Sequence, residues 1–407
     1  MFKLQEIFPE TDKPLKKAIV ALLVLVAFTL PFKEKLLVNL FIVLAFVAWL
    51  FTNPFKKLFT KTKNTKVLLA ILIFYLLHLI GLLYTNNIQE GLFSLEIKIS
   101  LLIFPLLFYT EKFSAKQHWF FFKSFVVGTL LCCLLCLSRA IFFYYYTHEN
   151  LFYYEGLSWF QHPSYLAMYV SFCCAVLLLT NLFSKTITYL SILFFTLFVF
   201  LLSSKTGIII YFITLIFSFT SMFLKGKNYF KIIGASLLSL LICISILFLI
   251  PQVKQRFQNV YNVFQIKSID KTSAESTTVR MLIWNEAIQI SKEHPIIGVS
   301  PGNANDALYE GYKQNGLTGA YEKKLNAHSQ YFQTTIGLGL VGLLSLLSLF
   351  AVPLFTNRNK IVIFFIGICA LNFLTESMFQ TMAGCIFFGY FYSLICFQHD
   401  PILTSKD

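Results

Sequence analysis

The sequence predicts an all-α integral membrane protein of about twelve transmembrane helices with one large, partly helical periplasmic loop. Three observations lead there. Hydrophobic residues fill 57% of the 407 positions and charged residues only 13%, against about a quarter charged in ordinary soluble domains. The mean hydropathy is +0.71. Apolar runs near the length that crosses a roughly 30 Å hydrocarbon core recur along the chain. The basic residues alternate between the two sides that such crossings would define.

In order, the apolar runs predict crossings at 18–32, 35–52, 67–84, 95–109, 119–145, 163–183, 187–203, 206–224, 229–250, 330–355, 360–375 and 378–397. Lys13, Lys16 and Lys17 precede the first run as in a signal peptide. With no small-x-small cleavage site after it, it reads as a retained helix. The fourth run is short and reads as tilted or partly re-entrant, because Glu96 and Lys98 sit at its expected start. The chain thus divides into a bundle over 1–250 with about nine helices, a loop over 251–329, and a second bundle over 330–407 with about three helices and a cytoplasmic tail.

Charge placement sets the expected orientation. Lys56, Lys57, Lys61, Lys63 and Lys66 occupy one connection, Lys112 and Lys116 a second, Lys225, Lys227 and Lys231 a third, and Arg358 and Lys360 a fourth. The connections 85–94 and 146–161 carry no Lys or Arg. Under the positive-inside rule both termini are cytoplasmic and the 251–329 loop faces outward. The net charge of +14 is therefore mostly topology and gives no reason to expect nucleic acid. The nine cysteines all lie in or beside apolar runs, so the loop carries no disulfide framework, and the cluster Cys132, Cys133 and Cys136 reads as buried packing.

The loop has periodicity of its own. Thr277 or Thr278 can cap a helix to about Lys292, with Val279, Ile283, Ala287 and Ile290 on one face. Pro295 ends it, Gly298, Pro301 and Gly302 make a turn, and Asn303 can cap a second helix through Tyr312. This is a small folded lid.

Topology brings Lys205, Arg280, His328, His162 and Glu376 to one depth at the outer face. Each also has a structural reading, which for His328 is that of a structural histidine at the interface. Lys205 can snorkel to headgroups, Arg280 can pair with Glu286 or Glu293, His162 can start a helix before Pro163, and Glu376 can be a loop acid. His78, alone in an apolar run, is expected to satisfy a hydrogen bond within the bundle.

The run VRMLIWNEAIQISKEHPIIGVSPGN and the later NAHSQYFQTTIGLGLVGLLSLL resemble the signature of the bacterial O-antigen ligase and O-antigen polymerase superfamily. The shared elements are Arg280 to Trp284 on a helix, the turn His294-Pro295-Ile296-Ile297-Gly298, and His328 followed by Gln330 ahead of Gly339 and Gly342. The resemblance is strongest over about 195–350 and reaches loosely to 162–169 and 375–384. It implies metal-independent, inverting transfer of a glycan from a polyprenyl-diphosphate donor in the bacterial inner membrane. The acceptor is lipid A–core in the ligases and another lipid-linked glycan in the polymerases. No cofactor is implied. His328 matches the family's histidine, and Arg280 one of its two diphosphate-binding arginines. The other position corresponds to Lys205, which keeps the charge without arginine's bidentate fork. His162, Trp284, Gly298, Asn303, Gln330 and Glu376 are candidate supporting residues, with amides from Gly298 to Asn303 able to face phosphate or simply to form a turn.

The chain has no Gly-x-x-x-x-Gly-Lys-Ser/Thr loop, no Asp-x-Asp pair and no His-Glu-x-x-His motif. The resemblance makes the expected function an O-antigen ligase-type transferase, with an O-antigen polymerase as nearest alternative and a protein-directed oligosaccharyltransferase of the same superfamily as a third. Outside that class stand a transporter or flippase of lipid-linked sugars and a non-enzymatic membrane scaffold.

Overall fold

A computed structural model describes residues 7–10, 12–32, 35–52, 54–58, 64–223, 234, 271, 272, 277–357 and 359–397. The expected ninth crossing at 229–250 lies outside these residues apart from Gly234, as do Cys243 and the stretch 251–276 apart from Lys271 and Thr272. So do Lys61, Lys63, Lys225, Lys227, Lys231 and Arg358, which entered the orientation argument.

The described chain is helical. The principal helices are α1 (Pro14–Thr29), α2 (Lys35–Leu50), α3 (Thr65–Gly81), α4 (Ile88–Lys98), α5 (Ser100–Thr110), α6 (Ala115–Thr147), α7 (Pro163–Leu179) and α8 (Lys185–Leu202). They continue with α9 (Lys205–Phe223), α10 (Thr277–Glu293), α11 (Ala304–Gln314), α12 (Gln330–Thr356), α13 (Lys360–Phe373) and α14 (Met382–Cys396). Among them, five segments are long and apolar enough to cross a membrane: Thr65–Tyr84, Ile88–Thr110, Ala115–Thr147, Lys185–Leu202 and Gln330–Thr356. Five more apolar helices are shorter, Pro163–Leu179 among them. At 1.5 Å per residue, the 17 residues of α7 rise only about 26 Å.

The fourth expected crossing is corrected. It begins at Ile88, capped by the Asn87 side chain, and continues through Ile99 to Thr110, a run of 23 residues. Glu96 and Lys98 lie in its middle. Lys98 is buried there and donates to the Ser94 hydroxyl at 2.8 Å and the Ser94 carbonyl at 3.3 Å. Pairing two of its three N–H donors within one helical turn lowers the cost of a cation inside so apolar a segment.

Burial explains the order of the bundle. Every residue of α7 from Pro163 to Leu178 is buried, and so is every residue of α14 from Gly384 to Cys396. Helices apolar on all sides belong in the middle of a bundle. α7 packs against α9 and α13, α14 against α5, α1 against α2 and α6, and α3 against α12. Rings of Phe125, Phe172, Phe387 and Phe391 interlock between α6, α7 and α14, with Phe125 and Phe391 centroids 4.6 Å apart. All eight described cysteines are free and buried within this packing. His78 is buried and meets the Phe74 carbonyl at 2.9 Å, as expected.

The lid has its own core. Val279, Ile283 and Ala287 of α10 are buried with Leu308 and Tyr312 of α11 and with Ile336 of α12, and Ile290 packs against them. The lid is also tied to the bundle by backbone. Val299 N donates to Ile336 O at 2.9 Å, and Leu340 N to Pro295 O at 2.8 Å. α12 is broken there at Gly339, with φ 62° and ψ −156°. The break frees backbone groups of α12, and the His294–Gly298 turn supplies their partners.

Candidate active site

Three pieces of chain carry the polar residues at one end of the bundle: the N-terminal turn of α10, the segment leading into α12, and the turn between α13 and α14. Arg280 projects from α10, where the 277–293 helix places it one residue after buried Val279. Its Nη1 donates to the Thr375 carbonyl at 3.1 Å and its Nη2 to Glu376 Oε1 at 3.4 Å. Neither Glu286 nor Glu293 takes this role; Glu286 instead accepts from Asn315 Nδ2 at 2.8 Å. Glu376 is buried and Arg280 keeps 29% of its side chain exposed. Among the described residues these bonds engage two of the five guanidinium N–H groups, so donors remain for a further anion.

His328 sits in the segment just before α12 with φ +46°. That left-handed conformation costs a non-glycine residue roughly 1–2 kcal/mol, and several bonds enforce it. Trp284 Nε1 donates to Ala327 O at 3.0 Å, Gln333 Oε1 accepts from Ala327 N at 3.0 Å, and Asn326 Oδ1 accepts from His328 N at 2.9 Å. On the following residue, Ser329 N donates to Ser377 Oγ at 3.1 Å and Ser329 Oγ to Phe373 O at 3.2 Å. Gln330 Oε1 accepts from Phe379 N at 2.7 Å, closing the 374–381 turn onto the start of α12. A left-handed backbone held by several partners makes His328 a candidate functional residue.

The electrostatic environment of His328 brings four sequence candidates together. Burial lowers its pKa to about 4, the charges of Arg280 and His162 push the same way, and Glu376 opposes them. The imidazole is therefore neutral at ordinary pH, with a cation, an acid and a second histidine within range of its ring.

His162 stands at the N-cap of α7, where its Nδ1 accepts from Ser164 N at 3.4 Å. Lys205 opens α9 and is half-buried. The two helix starts are joined: Ser164 Oγ and Ser204 Oγ lie 3.2 Å apart, and Gly207 N donates to Ser204 Oγ. This joins the start of α9, which carries Lys205, to the start of α7, which follows His162; the charged groups acting on the His328 ring are Arg280, Glu376 and His162.

Two candidates have structural duties. Gly298, at φ +69°, packs so closely on α12 that a Cβ there would lie 2.4 Å from Ile336 O. Asn303 precedes α11 but does not cap it with its side chain. Its Oδ1 accepts instead from Thr85 Oγ1, Asn86 N and Asn87 N at 3.0–3.1 Å, pinning the lid to the α3–α4 connection. Gln333, Ser377 and Asn326 are not among the sequence candidates. The first and last lie in the quoted NAHSQYFQ run, which was the available signal.

Helices long and apolar enough to cross a membrane suggest a membrane protein, and Arg280, Glu376, His162 and His328 make a candidate site at one end of its helices. Residues 190–347 match the family model described as O-antigen ligase, which supports placing the chain in the O-antigen ligase and polymerase superfamily. That superfamily is of glycosyltransferase-like ligase and polymerase type and works on lipid-linked glycans. The matched stretch contains Lys205, Arg280, Trp284, Gly298, Asn303, His328 and Gln330, while His162 and Glu376 fall outside it. Comparison with curated proteins gave no significant match.

Proposed function

We propose that the protein is an O-antigen ligase-type glycosyltransferase, moving a glycan from a polyprenyl-diphosphate carrier to lipid A–core on the periplasmic side of the inner membrane. In this reading the acceptor hydroxyl oxygen bonds to the donor's anomeric carbon while the bond from that carbon to the diphosphate oxygen breaks. The bonding pair leaves with the diphosphate, the hydroxyl proton passes to His328, and attack opposite the leaving group inverts the centre. Arg280, with Lys205 as a second cation, faces the charge that accumulates on the diphosphate. Glu376 holds Arg280 and favours the imidazolium that forms, as a carboxylate does beside a catalytic histidine.

The observation that carries this reading is the meeting of Arg280, Glu376, His162 and His328 in one electrostatic neighbourhood. A neutral imidazole next to a guanidinium with spare donors suits proton removal at one atom and anion stabilisation at another. Topology follows the positive-inside reading, with the lid outside and both termini in the cytoplasm.

Deletion of the gene, with lipopolysaccharide resolved on a gel, tests the acceptor. The ligase reading expects lipid A–core without glycan and accumulation of lipid-linked polymer. Core bearing a single repeat would assign the polymerase reaction instead.

A further inference from the structure

Beside the site lies a cavity of about 530 Å³, between α4, the 155–163 segment and the turn leading into α14. The mechanism above does not use it. Its wall combines the rings of Trp159, Phe160 and Tyr165 with the polar groups of Gln380, Glu155 and His162. Among the described residues no lysine or arginine lines it. A diphosphate desolvated there would find no fixed cation, so the cavity is unsuited to the charged head of the donor.

The wall is built rather than incidental. Trp159 is 50% exposed, yet its ring is fixed by the Arg139 guanidinium 5.5 Å from its centroid and by Phe160 at 4.5 Å. Arg139 in turn donates to Gly156 O at 2.8 Å, holding the segment that carries Glu155 and Trp159. His162, exposed at the cavity, accepts at Nδ1 from Ser164 N, which leaves Nε2 as the ring's donor. Thr381, in the turn that also bears Glu376, donates to the Tyr165 hydroxyl at 3.1 Å. An immobilised aromatic face ringed by amide, carboxylate and imidazole groups matches a pyranose, whose C–H face is apolar and whose rim is hydroxylated.

We propose that this cavity is the acceptor subsite and that it takes an uncharged, phosphate-free terminal pyranose stacked on Trp159, with its hydroxyl rim held by Glu155, Gln380 and His162. The assignment rests on the transferase reading, since it names the substrate portion that the cation cluster leaves unplaced. His162 lies at the junction, lining the cavity and within range of His328.

The test measures binding and turnover separately on the full-length protein in detergent. Tryptophan fluorescence is titrated with a neutral methyl hexopyranoside, a sugar phosphate and a polyprenyl phosphate, in the absence of donor. The neutral glycoside is expected to change the emission saturably, and Trp159→Phe to abolish that change while Trp119→Phe keeps it. Saturation by polyprenyl phosphate alone would make the cavity a lipid-tail groove, and preference for the sugar phosphate would refute the uncharged ligand; either overturns the proposal. In the transfer assay Glu155→Gln and Gln380→Ala should raise the acceptor KM about tenfold and leave the donor KM unchanged. Glycan transfer with an unaltered acceptor KM defeats the subsite while sparing the transferase. Saturable glycoside binding in a protein that transfers no glycan defeats the transferase reading alone.

Discussion

At the scale of single residues, the question is how a histidine with so low a pKa accepts a proton. The answer proposed is that the donor changes its surroundings. In the free protein, burial and the charges of Arg280 and His162 keep His328 near 4, against the pull of Glu376. A diphosphate bound at Arg280 offsets the cation that disfavours the imidazolium, so its arrival strengthens the base. The sign is definite: the working form is neutral, activity is present above the pKa and is lost as pH falls through it. Histidine-selective NMR with and without pyrophosphate checks this. His328 is expected to titrate near 4 alone and at a higher pH with pyrophosphate, and an unchanged or lower midpoint would rule out the coupling. Glu376→Gln removes the one charge that raises the pKa, so it should move the free-protein midpoint further down. The residues themselves were legible: Arg280 and His328 stand in recognisable motifs. Their partners were less so, because the Arg280–Glu376 contact spans 96 positions and joins two segments that sequence periodicity treats separately.

At the scale of elements, the decisive joint is the one between the lid and the broken α12. Gly339 adopts φ 62° and ψ −156°, and a Cβ there would lie 2.3 Å from the carbonyl carbon and oxygen of Ile296. Gly339→Ala should therefore cost on the order of 1–3 kcal/mol and lower the thermal midpoint in detergent. Gly367→Ala on α13 meets nothing within 4 Å and serves as the control, expected to hold the midpoint. Equal midpoints would contradict the joint. The helices of this region were readable from spacing: Val279, Ile283 and Ala287 are buried on the expected face of α10. The break in α12 was not. Its two glycines, Gly339 and Gly342, resemble a close-packing motif, and only the docking of the His294–Gly298 turn reveals that one of them ends a helical run. The fourth crossing misled for a related reason: Lys98 looks like a boundary charge until Ser94, one turn earlier, is seen to accept from it.

At the scale of the whole molecule, apolar runs mark most of the described helices, whereas segments such as α7 have compositions that fit burial in a bundle as well as exposure to lipid. Orientation is tested by labelling intact cells with a membrane-impermeant thiol reagent. Lys313→Cys on α11 should label and Lys112→Cys, between α5 and α6, should not; the reverse pattern would invert the topology. The central claim, however, concerns the cluster under the lid, and it is tested most directly by glycan transfer from a polyprenyl-diphosphate donor with purified, folded Arg280→Ala and His328→Ala proteins. Each substitution is expected to reduce transfer by about 10²–10³-fold, the scale on which a charge-stabilising donor or a positioned base contributes. Transfer at the rate of the unmodified protein in both variants would contradict the account.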